Sequence, residues 1–223
     1  WEKASSLEPL GPPSSVPRAG ERPKYWEVAK KELSGNDTLL SKIIDEFEGL
    51  ELISRGDVFY TLIRSIVGQQ ISVKAASTVW SRFCKKIGEV KPENILLIDI
   101  EELRNCGLSR RKAEYVIGIS ENWPNYEKID WETKDDEEII EELIKLRGVG
   151  RWTVEMILIF SLLRPDIFPI GDIGIIRGIE RTYNSGEKMS REQLLSISEK
   201  WRPWRTVACC YMWRTIDPEP VGY

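Results

Sequence analysis

A chain of 223 residues, 41% apolar and 30% charged, has enough of both for one water-facing globular unit or two small lobes. It holds no histidine, and Cys84, Cys106, Cys209 and Cys210 lack metal-clip spacing, which excludes most zinc sites and every His-based nucleophile. A net charge of −4 argues against a nucleic-acid partner only if the charge is evenly spread, and it is not: Thr61–Gly88 carries five bases and no acid, whereas Asp130–Glu142 carries eight acids against Lys134 alone. No apolar run approaches the ~20 residues that span a bilayer, and no signal-type segment opens the chain. The expectation is an intracellular protein of cytoplasm or nucleoid, with free thiols and no membrane partner.

Residues 1–23 hold five prolines and no apolar period, and read as a tail or linker. From there the pattern is helical. Tyr25–Leu33 and Thr38–Phe47 place apolar residues three and four apart. Asp57 is an expected N-cap for the helix through Gln70, Ser72 for one through Gly88, and Ser109 for one through Trp123. The segment 135–146 is an amphipathic helix with acids in its first turn, where they suit the dipole. Ser190 and Gln193 form a capping box, and Pro203 is expected to start a last helix ending near Arg214. Strand alternation is weak throughout, so the predicted fold is all-α, about ten helices without a solenoid repeat.

Three segments point to chemistry. Leu146–Thr153 reads LRGVGRWT, with an amphipathic helix before it and an apolar helix after it. Gly148 and Gly150 allow a tight turn with its backbone close to a partner. The bare N–H groups and positive dipole end of the following helix can hold a phosphate. An ordinary helical corner would use the same glycines. Asp172 follows Pro169 and Gly171 and precedes an apolar helix, so it reads as an N-cap, worth about 1 kcal/mol. Asn would cap as well as Asp, so Asp172→Asn is expected to remove charge and keep the fold. Nine tryptophans include Trp201, Trp204 and Trp213 near the last helix, a spacing that reads first as core.

LRGVGRWT resembles the hairpin of the helix–hairpin–helix DNA glycosylases, and further segments agree in order. SIVGQQISVKAA (65–76) is similar to that superfamily's early helix and minor-groove loop, LRNCGLSRRKAEYV (103–116) to its G-L-S-x-x-K-A segment, and FPIGDIGIIRGI (168–179) to the segment with its catalytic aspartate. WRPWRTVACCYMWR (201–214) resembles the closing helix of the 3-methyladenine glycosylase II branch. The resemblance covers roughly residues 25–223.

The resemblance implies a two-lobed fold. Residues 57–160 make one lobe, containing the hairpin, 24–56 and 161–223 the other, and the active site lies in the cleft between them. It implies a monomer acting on double-stranded DNA with a damaged base. Asp172 takes the catalytic place, stabilising the cationic sugar as the N-glycosidic bond breaks. Gly171 stands where relatives often carry a second acid. Trp152 occupies the position at which strand-cleaving members carry a nucleophilic lysine, and an indole cannot attack, so hydrolysis without a lyase step is expected. Trp152 and Trp204 are expected to line the base pocket, where an indole face attracts a cationic alkylated purine by roughly 0.5–2 kcal/mol. Gly148, Val149, Gly150, Arg151 and Thr153 are the expected DNA contacts, and Gln70 or Ile71 the wedge that fills the gap left by a flipped nucleotide. No cofactor is implied beyond a monovalent cation, K⁺ or Na⁺, at the carbonyls of Leu146 and Val149. The alternatives are a glycosylase for deaminated or ring-opened purines and a non-catalytic DNA-binding module, which has no use for Asp172.

Overall fold

The computed structural model describes residues 16–217, which form twelve α-helices and two short 3₁₀ turns, with no strand among them. The helices are α1 (Trp26–Asn36), α2 (Thr38–Glu46), α3 (Val58–Gly68), α4 (Val73–Ile87), α5 (Pro92–Leu96), α6 (Ile100–Asn105), α7 (Arg110–Asn122), α8 (Asp136–Leu143), α9 (Arg151–Phe160), α10 (Ile173–Tyr183), α11 (Arg191–Glu199) and α12 (Arg205–Ile216). None of these is long and apolar enough to cross a membrane.

The starts follow local chemistry. Asp57, Ser72 and Ser109 each accept a backbone N–H from the first turn of α3, α4 and α7. Ser190 and Gln193 close their capping box at α11, and Asp99 with Glu102 closes another at α6. Helix ends differ from the reading of the sequence: α3 stops at Gly68, two residues short of Gln70. The acidic helix α8 stops at Leu143 and turns before Leu146, and α12 starts at Arg205, two residues after Pro203.

Helix α3 lies against α4, α7 and α9, α8 packs on α9, and α5 and α6 pack on α7. Helix α10 lies along α12, which also meets α1 and α2. Apolar faces from all of these join one core, in which Phe59, Leu62, Ile63, Ile157, Trp201 and Tyr211 are fully buried. Cys106, Cys209 and Cys210 are buried free thiols and Cys84 is half-buried, as expected.

Most of the expected tail, residues 1–15, lies outside the described residues. Its last stretch is not loose: the Gly20 N–H donates to Ser54 O at 2.9 Å and the Ser54 N–H to Glu21 O at 2.8 Å. Gly56, at φ 77°, allows this approach, since a Cβ there would lie 2.9 Å from the Ala19 nitrogen.

Candidate active site

Helix α7 carries two supports. Its Tyr115 ring packs behind Gly148, where a Cβ would sit 2.4 Å from the ring, and Gly148 has φ 92°. Only glycine satisfies both conditions. The Lys112 ammonium donates to Val67 O at 2.9 Å, near the end of α3. Burial lowers the Lys112 pKa. One helix therefore holds both the hairpin and the approach to the 69–72 turn.

The hairpin closes through the Val149 N–H on Leu146 O at 3.1 Å, and Val149 is buried between the helices. Gly150 is the N-cap of α9 and supplies no side-chain acceptor. The N–H groups of Arg151, Trp152 and Thr153 have no acceptor within the helix either. A Cβ on Gly150 would meet nothing within 4 Å, so the turn is open on that side.

Asp172 begins α10. Its Oδ1 accepts the Ile175 N–H at 3.0 Å, the cap read from sequence, and also the Trp213 indole N–H at 2.8 Å. Its Oδ2 accepts the Trp152 indole N–H at 2.8 Å. Three donors from three helices fix a carboxylate that is only 9% exposed. Beside it lies a cavity of about 600 Å³, lined by Gln69, Gln70, Ile71, Gly150, Trp152, Thr153, Gly171, Asp172, Ile173 and Trp213 among others. Lysine is absent from this lining. Gly171 is exposed at the rim with open space beside it, so a second acid is missing there by residue type and not for want of room. A larger cavity, about 960 Å³, has walls including Tyr60, Trp123 and Trp131 but none of these residues. Size alone does not locate the chemistry.

The structure thus brings Asp172, Trp152, Gly150, Thr153, Gln70 and Ile71 to one cavity, corrects the placement of Trp204, and shows the side-chain partners of Arg151 and Thr153. Trp204 is not among the lining residues: it N-caps α12, stacks on Tyr25 at 5.7 Å between centroids, and donates its indole N–H to Glu32. Trp213, read as core, takes its place, nine residues and about 13 Å further along the helix. The Arg151 side chain lies away from the cavity. It grips Glu137 through two nitrogens at 2.5 and 3.0 Å and reaches Glu155 at 3.8 Å, which ties the start of α9 to α8. The Thr153 hydroxyl is buried and accepts the Gln69 amide at 2.9 Å, leaving its backbone N–H as the group that can face outward.

Glu155, one turn into α9, escaped notice in the sequence because it sits inside an apolar run. It is buried, and burial pushes its carboxyl up to about 7 from an ordinary 4.5, against the pull of Arg151.

Residues 63–203 match the HhH-GPD superfamily of base excision DNA repair proteins. The chain is 34% identical to DNA-3-methyladenine glycosylase 1 of Schizosaccharomyces pombe, over 85% of this chain and 86% of the relative. It is 31% identical to a DNA-3-methyladenine glycosylase of Bacillus subtilis, over 86% of this chain and 66% of that longer relative. In fold it is similar to the structure of the Schizosaccharomyces pombe 3-methyladenine DNA glycosylase in complex with abasic DNA, with a TM-score of 0.71 and 33% identity, covering 84% of this chain and 96% of that one. With its hairpin and its aspartate at a helix start inside the matched span, the chain belongs to the HhH-GPD superfamily of base excision DNA repair proteins.

Proposed function

We propose that this protein is a monofunctional DNA glycosylase that hydrolyses the N-glycosidic bond of alkylated purines, of the 3-methyladenine and 7-methylguanine type, in double-stranded DNA. The observation that carries this reading is the Asp172 carboxylate, fixed by the Trp152 and Trp213 indoles and the Ile175 N–H at the wall of a cavity beside the hairpin. The names of the relatives supply the lesion class.

In this reading the flipped nucleotide enters the cavity with its sugar toward Asp172. As the bond to the base stretches, positive charge grows on the sugar, and a carboxylate already held in place stabilises it without reorganisation. The base, cationic before cleavage, leaves neutral with the bonding pair, and water adds its oxygen to the sugar carbon and releases one proton to solvent. The alkylated base is cationic before cleavage, which gives the electron-rich indole faces of Trp152 and Trp213 a preference over neutral purines of roughly 0.5–2 kcal/mol. Flipping costs least for a weakened pair, which adds to the selection. The absence of lysine from the lining, with Trp152 beside the aspartate, supports hydrolysis without strand cleavage.

DNA is held by the backbone of Gly148, Val149 and Gly150 and by the bare N–H groups at the start of α9, through phosphate and without sequence reading. The hairpin is also the proposed seat of a monovalent cation. Leu146 O spends one lone pair on the Val149 N–H and keeps the other, and carbonyl oxygens are the donor type that such a cation takes. No other cofactor is required. The helix packing supports lobes of 57–160 against 24–56 plus the described part of 161–223, with the cavity between them, and one chain supplies every residue used, which supports a monomer acting on DNA.

Incubation with a duplex treated with a methylating agent tests the reading. The expected products are free 3-methyladenine or 7-methylguanine and intact strands with abasic sites, and borohydride is expected to trap no covalent adduct. Release confined to deaminated or ring-opened purines would move the lesion, efficient trapping would overturn the monofunctional reading, and no release of any base would overturn the glycosylase itself.

A further inference from the structure

Two turns flank the cavity. One is the hairpin; the other, 69–72, joins α3 to α4 and presents Gln70 and Ile71 at the rim. Gln70 has φ 58°, a left-handed conformation that L residues adopt at a cost of order 1–3 kcal/mol and keep only where neighbours impose it. Two anchors impose it here. Upstream, Lys112 holds Val67 O, and downstream Ser72 caps α4 on the Ala75 N–H. Lys112 ties the turn to α7, which also backs the hairpin, but neither anchor touches Trp152 or Asp172. The link toward them comes from Gln69, whose side-chain amide donates to the Thr153 hydroxyl at 2.9 Å. Thr153 is 1% exposed and follows Trp152, the residue that donates to Asp172. A run of contacts therefore leads from the rim turn through Gln69, Thr153 and Trp152 to the carboxylate. The fold does not need this link: α3 already lies against α9 through apolar side chains, and the Thr153 hydroxyl is a polar group on a buried helix face that Val would fill equally well.

We propose that Gln69 is a positioning residue: its bond to Thr153 keeps the Gln70–Ile71 turn in register with Trp152 and Asp172, so that insertion of the turn into a duplex delivers the extruded nucleotide to the carboxylate. This rests on the glycosylase reading above. Binding to phosphate is left to the hairpin, so loss of the link disturbs delivery and not docking. Small displacements of a reacting group are enough to slow chemistry strongly.

The test uses Gln69→Leu, Thr153→Val, the double variant and Thr153→Ser. Three quantities are measured: excision from a methylated duplex at saturating enzyme, affinity for a duplex carrying a stable abasic analogue, and the fluorescence of a 2-aminopurine beside that analogue as a report of unstacking. The expected result is a loss of about tenfold in excision rate for each single variant, with weaker unstacking and affinity within about twofold of wild type. The double variant should be no slower than either single one, because both remove the same bond. Thr153→Ser, which keeps the hydroxyl, should retain the wild-type rate. Thr153→Val carries the test if Gln69→Leu does not fold. Wild-type excision and unstacking in either folded single variant, or additive losses in the double, overturn the proposal. A wild-type protein that releases no base overturns the glycosylase reading first, and this inference with it.

Discussion

Two helix starts face the same cavity and are finished in opposite ways. Helix α10 begins with Asp172, whose carboxylate satisfies its own first turn and takes two indole donors besides. Helix α9 begins with Gly150, which caps nothing. Both starts carry the positive end of a helix dipole. At α10 the anion is built into the chain, so its negative charge is available to an electron-poor sugar. At α9 the anion is left to come from outside, and in the proposed function it is a DNA phosphate. The difference teaches that a missing cap can be as functional as a present one.

The largest expected effect comes from breaking the filled side. Asp172→Asn should slow single-turnover excision of 3-methyladenine by a factor on the order of 100 or more, the scale for loss of one preorganised electrostatic group. The sequence suggested that Asn would leave stability unchanged. The structure says otherwise, since an amide offers one oxygen where the carboxylate offers two. With that oxygen serving Ile175 and Trp213, the amide NH₂ faces the Trp152 N–H donor. A buried donor left without an acceptor costs about 1–3 kcal/mol, so thermal unfolding should register a loss of that size. Near-wild-type excision in a folded Asn variant would place the chemistry elsewhere.

The next effect comes from filling the bare side. Gly150 has the extended backbone of an N-cap and open space for a side chain. Gly150→Asp should raise stability by a few tenths of a kcal/mol. It should weaken binding to an abasic-analogue duplex by about tenfold at low salt, because it puts a carboxylate where a phosphate docks. Tighter or unchanged binding would show the hairpin to be only a corner. Gly148 is the wrong place for this test, since any side chain there collides with Tyr115 whether or not DNA is bound.

The smallest effect concerns the second acid near these starts. Between an ordinary 4.5 and about 7, the folded chain keeps the Glu155 proton that the unfolded chain has released. Folding stability therefore falls as pH rises through that window and levels off above it. Glu155→Gln should flatten the fall, gaining about 1–3 kcal/mol on wild type between pH 5 and pH 8 in denaturant titrations. Parallel curves for the two proteins would show that Glu155 titrates normally.

Local chemistry was legible in the sequence where it is local. Ser72, Ser109, Ser190 and Asp172 cap the helices that their positions predicted, because a cap needs only a short polar side chain and the next few residues. What the sequence could not show is which end of a helix approaches which cavity. Trp204 and Trp213 share α12, and periodicity gives both as apolar positions. Only the docking of α12 on α10 puts Trp213 at the carboxylate, with Trp204 out against Tyr25 and Glu32. The partner of Arg151 was hidden for a similar reason: Glu137 lies fourteen residues earlier, on the far side of the turn. The HhH-GPD fold itself was readable because five motifs in order constrain it far more than any one helix does.

The two indoles on Asp172 also tie the carboxylate to two distant parts of the chain. Trp152 lies twenty residues before the aspartate and Trp213 forty-one after it, on a helix near the end of the described chain. A chain whose residues through α10 have folded would already own the hairpin, the rim turn and half of the clamp. Its carboxylate would still swing free on one side until α12 lies down along α10 and Phe160 stacks on Trp213 at 5.6 Å. The proposed catalytic carboxylate is therefore clamped on both sides only where α9, α10 and α12 meet, and a chain cut before α12 would keep the hairpin and lose one side of the clamp.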